Sequence, residues 1–409
     1  MVRVRPFAAV RPLPNLAARV ASVPYDVVNA AEARQLAADN PYSFLRVVRA
    51  EIDLPPDTDP FDASVYAQAD ETFERLRAEG TLVREQEPGL YLYRLAWEGR
   101  TQLGLVGCFH VDDYANNVIK KHENTRPDKE EDRTRHMLAL GTHTGTVLLT
   151  YRDHPGFDDL ARRDINARPL FHFDAPDGVT HTVWPVEQPQ AYCDLFASVE
   201  CVYVADGHHR VASAARAAAE RRRGAPDSGG DAECNWFLAA LFPASALTIL
   251  AYNRAVADLA GKTPDQVLDE LGGAGSLTRT DQPQPQRPGV LGVYLDGQWR
   301  ELALDPASID HNDPIGSLDA ALLQKRVLSP LLGIGDPRSD RRIQFVGGIR
   351  GTGELERRVD SGEAAIAFSL YPTSIEQLLD VADAGLIMPP KSTWFEPKLR
   401  SGLFVHPFG

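Results

Sequence analysis

An aspartate, a glycine, two histidines and an arginine follow one another without a break at Asp206-Gly207-His208-His209-Arg210. The β-branched and aromatic run Cys201-Val202-Tyr203-Val204 precedes them, and the alanine-rich stretch Val211–Ala215 follows. This order predicts a buried strand, a tight glycine turn, and a helix whose first turn carries the cationic side chains. A helix N-terminus presents unpaired backbone N–H groups and partial positive charge to an anion. His208, His209 and Arg210 add charge-assisted donors at the same place, so phosphate is the expected guest. Asp206 has the wrong sign for holding phosphate. It suits a metal ligand, or a group that orients an attacking hydroxyl.

A second cluster is Lys121-His122-Glu123-Asn124-Thr125-Arg126, running into Asp128–Arg133. The plain reading is a solvated loop leading into a charged helix. The chemical reading makes Glu123 a general base, with Lys121, Arg126 or Arg133 clamping phosphate. No histidine stands three residues after Glu123, which excludes a thermolysin-like zinc motif here. Nine histidines fall between His110 and His209. Taken singly, each reads as a surface or hydrogen-bonded side chain, and only the adjacent His208-His209 pair stands apart. Near the end, Lys391-Ser392-Thr393 could line an anionic ligand, or could belong to a loop packed by Trp394 and Phe395. Val23–Val27, with Tyr25 and Asp26, and Asn40–Arg46 are proline-fixed turns followed by polar groups.

These residues need elements to hold them. Helical spacing of Phe61, Val65, Ala69, Phe73 and Leu76 predicts a helix over roughly Asp62–Glu79; a short helical piece is expected around Ala30–Ala38 and a charged helix over Lys129–Leu140. Strands are predicted at Leu90–Leu95 and Gln102–Val111, joined by a hairpin turn at Trp97–Arg100. Further strands are expected at Val147–Tyr151, near Leu170–Phe173 and near Thr180–Val183. Arg221–Gly230 reads as a surface loop. The Pro/Gln-rich run Asp281–Pro288 is a candidate domain boundary, with a hairpin (Gly289–Tyr294, then Trp299–Leu304) behind it. The mixture points to an α/β or α+β architecture. The expected division is 1–110, 111–280 and 289–409.

Composition bounds the partners. A 409-residue chain accommodates two or three domains, or one large core with insertions. Its net charge of -14 argues against non-specific nucleic-acid binding, which Lys and Arg would have to drive. A small phosphorylated ligand in a local basic pocket is compatible with that charge. The four cysteines form no CxxC pair, so a zinc knuckle or disulfide scaffold is not expected. With no signal-peptide core and no apolar run of membrane length, a cytoplasmic protein is expected. No G-x-x-x-x-G-K-[ST] loop, kinase HRD or DFG set, G-x-S-x-G elbow or G-x-G-x-x-G turn occurs.

Taken together, Val23-Pro24-Tyr25-Asp26-Val27, His122-Glu123-Asn124-Thr125 with Lys129–Arg133, Asp206–Arg210, and Pro389–Thr393 with Pro397-Lys398 resemble a former domain-of-unknown-function family associated with free-serine kinases. That family is related to the ParB/sulfiredoxin-like superfamily, and the matching residues span almost the whole chain. The resemblance implies a ParB/sulfiredoxin-like nucleotide-binding core with additional N- and C-terminal α/β elements. It implies transfer of a phosphoryl group from ATP or ADP to the hydroxyl of free L-serine, with Mg2+ as the metal. Carried over, Glu123 is the base and Asp206 a second catalytic carboxylate and metal ligand. Gly207, His208, His209, Arg210, Lys121 and Arg133 hold nucleotide phosphates. His122, Thr125, Tyr25, Asp26, Lys391, Ser392 and Thr393 face the acceptor. Ala251-Tyr252-Asn253-Arg254 departs from the Pro-Thr-His-Arg expected of many relatives, which puts the donor and acceptor in question.

Two other readings use the same residues. A metal-dependent nucleotide or phosphoester hydrolase would need Asp206 and the cationic helix start. A nucleotide-sensing binding module would need only the phosphate site. The presence of both Glu123 and Asp206 weighs against a pure binder, because phosphate capture alone does not call for two carboxylates.

Overall fold

The computed structural model describes residues 1–224 and 229–409. Of the loop expected at Arg221–Gly230, residues 225–228 lie outside the described residues. The chain forms two compact units: Met1–Leu247 with Pro397–Gly409, and Thr248–Glu396. The expected mixed α/β architecture is what both units show. The Pro/Gln-rich run Asp281–Pro288 lies inside the second unit.

A mixed nine-stranded sheet builds the first unit. Its strands are β1 (Val4–Arg5), β2 (Tyr91–Trp97), β3 (Arg100–His110), β4 (Ile119–Lys120), β5 (Val147–Tyr151), β6 (Phe171–Asp174), β7 (Thr180–Pro185), β8 (Val202–Asp206) and β9 (Trp236–Pro243). They run in the order β4-β8-β5-β9-β3-β2-β7-β6, and β1 adds to β3. The β2–β3 hairpin closes in two residues, Glu98 and Gly99, at φ 49° and 74°. Two successive positive φ values match the right-handed twist of the strands they join. Among the described strands, only β8 with β4 and β9 with β5 pair in parallel.

Four helices of this unit matter for the site: α1 (Ala30–Ala37), α2 (Ala63–Ala78), α3 (Pro127–Leu140) and α4 (His208–Gly224). The face of α4 that meets the sheet carries Val211, Ala214, Ala217 and Ala218, all at most 1% exposed and in one cluster with Val202, Val204 and Leu149. Alanines there let the helix axis come close to the strands without voids. A separate apolar cluster joins α1 and α2 to Phe44, Leu45, Val47 and Val405.

The last thirteen residues are threaded back through this unit. Ser401 bridges Ser22, Val405 bridges Val10, and His406–Pro407 pairs with Thr142–His143. Arg400 is ion-paired with Asp177, and its Nε lies 3.2 Å from His181 Nε2.

In the second unit, six antiparallel strands form one sheet: β10 (Tyr252–Val256), β11 (Gly275–Arg279), β12 (Val290–Leu295), β13 (Gln298–Leu304), β14 (Ile343–Gly347) and β15 (Ile366–Ser369), in the order β11-β13-β12-β15-β10-β14. Its core gathers Leu291, Val293, Leu302, Leu323, Leu332, Ile366 and Phe368. Thr248–Leu250 pairs with Trp394–Glu396, so the unit begins and ends on adjacent strands. No described helix in either unit is long and apolar enough to cross a membrane.

Candidate functional site

The site is built on the turn between β8 and α4. Val202–Ala205 are buried in the sheet, and a bulge opposite Leu148–Leu149 separates Val204 from Asp206. A bulge re-aims the side chains beyond it, here the Asp206 carboxylate at the strand's end. Gly207 follows at φ 99°, a conformation that a side chain resists. A Cβ there would also meet the Arg210 guanidinium at 3.1 Å. The Gly207 carbonyl accepts the first helical hydrogen bond, from Val211 N–H at 3.0 Å. The N–H groups of His208, His209 and Arg210 therefore precede the first intrahelical bond and face outward along the axis.

Two cations meet the Asp206 carboxylate. Lys398 Nζ donates to Oδ2 at 2.9 Å, and Arg210 Nη2 lies 3.5 Å from Oδ1. Burial alone would raise the Asp206 pKa, but Lys398 and Arg210 outweigh it and hold the acid far below the usual carboxylate range. Arg210 is 5% exposed. Its Nη1 donates to the Thr146 carbonyl, and Nη2 also lies 3.7 Å from Asp26 Oδ2. Asp26 and Asp206 thus share one guanidinium.

The parallel register of β4 on β8, Ile119 beside Val202 and Lys120 beside Tyr203, carries His122 and Glu123 alongside the turn. The rings of His122 and His208 meet edge to face at 4.5 Å between centroids. His208 Nδ1 is 3.8 Å from Glu123 Oε2. Burial drives the His208 pKa down to about 3, with Asp206 opposing the shift. It pushes His122 far below its ordinary value too, and His208 adds to the effect. Both rings are neutral near pH 7. Neither ring nitrogen of His122, nor His208 Nε2, has an aligned hydrogen-bond partner among the described residues, although the Val204 carbonyl lies close enough to His122 to favour its protonated form. Unpaired polar atoms at this depth are costly in a resting fold.

Helix α3 starts at Pro127, whose missing N–H costs nothing at that position. The preceding Arg126 N–H donates to His209 Nε2 at 3.0 Å, which puts the His209 proton on Nδ1. Ser213 Oγ donates to the Glu130 carbonyl at 3.0 Å, and Arg216 pairs with Glu131, which locks α3 against α4. Of the other expected residues, Thr125 donates to Glu130 at 2.8 Å. Lys121 Nζ lies 5.4 Å from the centre of the Tyr114 ring. Arg133 lies over the Tyr25 ring at 4.4 Å and pairs with Asp132 at 2.7 Å.

Lys391, Ser392 and Thr393 belong to the second unit. Ser392 Oγ donates to the Pro389 carbonyl at 2.8 Å, and Arg254 Nη2 donates to the Lys391 carbonyl at 2.9 Å. Asn253 and Arg254, in the segment that departs from the family pattern, are both buried. The residue that sequence reasoning left out of the site is Lys398. It was visible only as part of a Pro-Lys pair near the end, with nothing local to connect it to Asp206.

Magnesium takes oxygen ligands, one or two from carboxylates and the rest from water and substrate phosphates. Among the described residues no three His, Cys, Asp or Glu side chains converge as a metal site. The Asp206 oxygens already face Lys398 and Arg210. A magnesium ion held by Asp206 would have to replace one of these two cations, with water and substrate phosphates completing its shell, and no step is routed through one.

No curated protein sequence matches the chain. Among solved structures, a free serine kinase in complex with AMP is 12% identical with a TM-score of 0.37, over 73% of this chain and 90% of that one. SbnI with C-terminal truncation, from Staphylococcus aureus, is 13% identical with a TM-score of 0.39, over 74% and 87%. A conserved hypothetical protein from Pyrococcus furiosus is 12% identical with a TM-score of 0.35, over 73% and 94%. The family model described as "Protein of unknown function (DUF1015)" matches residues 4–321, and the chain belongs to that family.

Proposed function

We propose that the protein is a small-molecule kinase that transfers a phosphoryl group from ATP or ADP to the hydroxyl of free L-serine, giving O-phosphoserine. The observation that carries this reading is the pairing of a carboxylate, Glu123, with a separate cationic cradle at one helix start. His208 lies between them, 3.8 Å from Glu123 and in the first turn of α4. The serine acceptor and the nucleotide donor come from the motif resemblance, not from the geometry.

In this reading the nucleotide's terminal phosphates sit on the first turn of α4, against its N–H groups and the Arg210 guanidinium. Glu123 takes the proton of the acceptor hydroxyl as its oxygen attacks phosphorus. The bond from phosphorus to the bridging oxygen breaks, and the shortened nucleotide leaves with that electron pair. Arg210 and Lys398 offset the charge that builds on the leaving oxygen, and Asp206 fixes both cations in place. Phosphoryl transfer asks a protein mainly for positioning and charge neutralisation, which this set supplies. His208 and His122, neutral and buried, form the inner wall beside Glu123, whose own side chain stays 32% exposed to an entering acceptor. Magnesium belongs to the reading as a companion of nucleotide phosphates in solution. We place the protein in the cytoplasm, in keeping with four free thiols.

The test is phosphorus NMR of the full chain with magnesium, L-serine and either ATP or ADP. The expected result is a phosphoserine resonance that disappears in Glu123→Gln and in Asp206→Asn. Nucleotide loss with free phosphate as the sole product would replace the kinase with a hydrolase. Binding without turnover would reduce the site to a sensor.

A further inference from the structure

A second basic recess borders Tyr25 without reaching Arg210. It is a cleft of about 330 Å³ walled by Tyr25, by Arg34 of α1, by Arg49 and Glu51, and by Lys129, Asp132 and Arg133 on α3. Both carboxylates are committed. Glu51 Oε1 lies 2.9 Å from Arg49, and Asp132 pairs with Arg133 while accepting from the Tyr66 hydroxyl at 2.9 Å.

The other two cations of the wall have no such partner. Arg34 donates to the backbone carbonyls of Glu51 and Ile52 at 3.1 and 3.2 Å. Lys129 Nζ lies 5.1 Å from the centre of the Phe61 ring. Among the described residues neither is ion-paired with a carboxylate. Two positive charges without a paired carboxylate therefore stand in a concave wall of a protein whose net charge is -14, with Asp128 near enough to Lys129 to feel its field. Low-dielectric walls around like charges focus their field on whatever enters. Arginine forks match carboxylate and phosphate oxygens in pairs. The volume is at the small end of ligand cavities, enough for a metabolite and too little for a cofactor of dinucleotide size.

We propose that this cleft binds a small dianionic metabolite bearing carboxylate or phosphate groups, at a site separate from the phosphate cradle of α4. The two sites share a wall. Arg133 stacks on the Tyr25 ring at 4.4 Å, and the next residue, Asp26, lies 3.7 Å from Arg210 Nη2. A smaller cavity lined by Tyr25, Arg133 and Arg210 separates them. An anion that draws Arg133 toward itself changes the seat of Tyr25 and with it the hold of Asp26 on Arg210. By linkage, an anion on α4 changes the affinity of the cleft by the same factor.

Isothermal titration of the full chain with succinate, and separately with inorganic phosphate, tests the site without any turnover. A failure of the kinase reading would therefore leave this result standing. Succinate is expected to bind the wild-type protein and to lose roughly ten-fold or more in affinity in the double variant Arg34→Gln/Lys129→Gln. Asp206→Asn should retain succinate binding. Phosphate weakened in the double variant as well supports a cleft that accepts both chemistries. Phosphate weakened only by Arg210→Gln, with succinate weakened by the double variant, supports a carboxylate site. Lys129→Gln alone, a change at the rim, serves if the double variant melts early. Failure of both anions to bind wild type, or unchanged affinity for both in the cleft variants, overturns the proposal.

Discussion

Lys398 Nζ lies 2.9 Å from Asp206 Oδ2, across 192 positions of sequence. The contact sets the charge state of the β8–α4 turn. Without Lys398, the buried Asp206 would face Arg210 alone, while Arg210 is also drawn toward Asp26. With it, the carboxylate stays ionised and both cations are held at the start of α4.

Replacing Lys398 with methionine keeps the aliphatic stem and removes the charge. In the kinase reading the turnover number should fall roughly a hundred-fold, the usual cost of one positioned charge near a developing anion. The Asp206 pKa should rise as well, because Lys398 is the cation that lowers it most. Lys398→Arg should recover part of both. Steady-state kinetics checks the first and carboxylate titration followed by carbon NMR the second, and wild-type turnover in Lys398→Met would remove the residue from the site.

Gly207→Ala should be disproportionately harmful for so small a change. The backbone at φ 99° costs an alanine about 1–2 kcal/mol, and its Cβ presses on the Arg210 guanidinium. A lowered thermal midpoint together with weakened phosphate binding is expected. Weakened binding at an unchanged midpoint would show that the strain is relieved elsewhere.

Acid should destabilise the fold well before its carboxylates titrate. Burial lowers the pKa of His208 and His181 to about 3 and of His136 to about 4, and it lowers His122 and His143 well below the ordinary value too. Below about pH 6.5 the unfolded chain protonates these rings while the folded chain does not. Stability therefore falls with pH from there to the folded values, by up to about 1.4 kcal/mol per pH unit for each ring. Asp206, whose pKa is depressed, adds its loss only in stronger acid, as the pH drops from about 4 toward its folded value. Urea midpoints at about pH 7 and about pH 5 should differ strongly, and His136→Gln should shrink the difference. Equal midpoints would mean that the rings are protonated in the folded protein.

In the second unit, Arg254 is ion-paired with no carboxylate among the described residues. Arg254 is 3% exposed and donates to the carbonyls of Tyr252, Asn253, Pro390 and Lys391, and burial lowers its pKa to about 9. Lysine cannot span that fork. Arg254→Lys should cost about 1–3 kcal/mol by leaving buried carbonyls unpaired, read as a lower denaturation midpoint. A midpoint equal to wild type would show that the carbonyls find other donors.

The strand, turn and helix around Asp206 were legible because every cue is local: a β-branched run, a glycine at the turn and alanines behind it. Lys129–Leu140 was legible as a charged helix from its run of helix-favouring charged residues ahead of Met137–Leu140, and the observed helix starts two residues earlier, at Pro127. The helices Pro155–Asp164 and Pro189–Ala197 left no comparable mark, since each is too short to repeat an apolar stripe many times. The approach of Glu123 to His208 depends on the parallel register of two short strands, and that of Lys398 to Asp206 on the return of the chain after a whole inserted unit. Neither has a periodic signature, because tertiary pairing alone fixes them.

The return of residues 397–409 into a unit begun at residue 1 also orders events on the ribosome. A chain emerging from its N-terminus can assemble the nine strands and bury α4 while Asp206 still lacks its lysine. Only after the intervening residues 248–396 have been made does Lys398 become available. Because Thr248–Leu250 and Trp394–Glu396 lie side by side, folding of that inserted unit shortens the loop that the final segment must close. The β8–α4 turn is thus chemically incomplete until Lys398 has been made, whatever the rest of the unit has already buried.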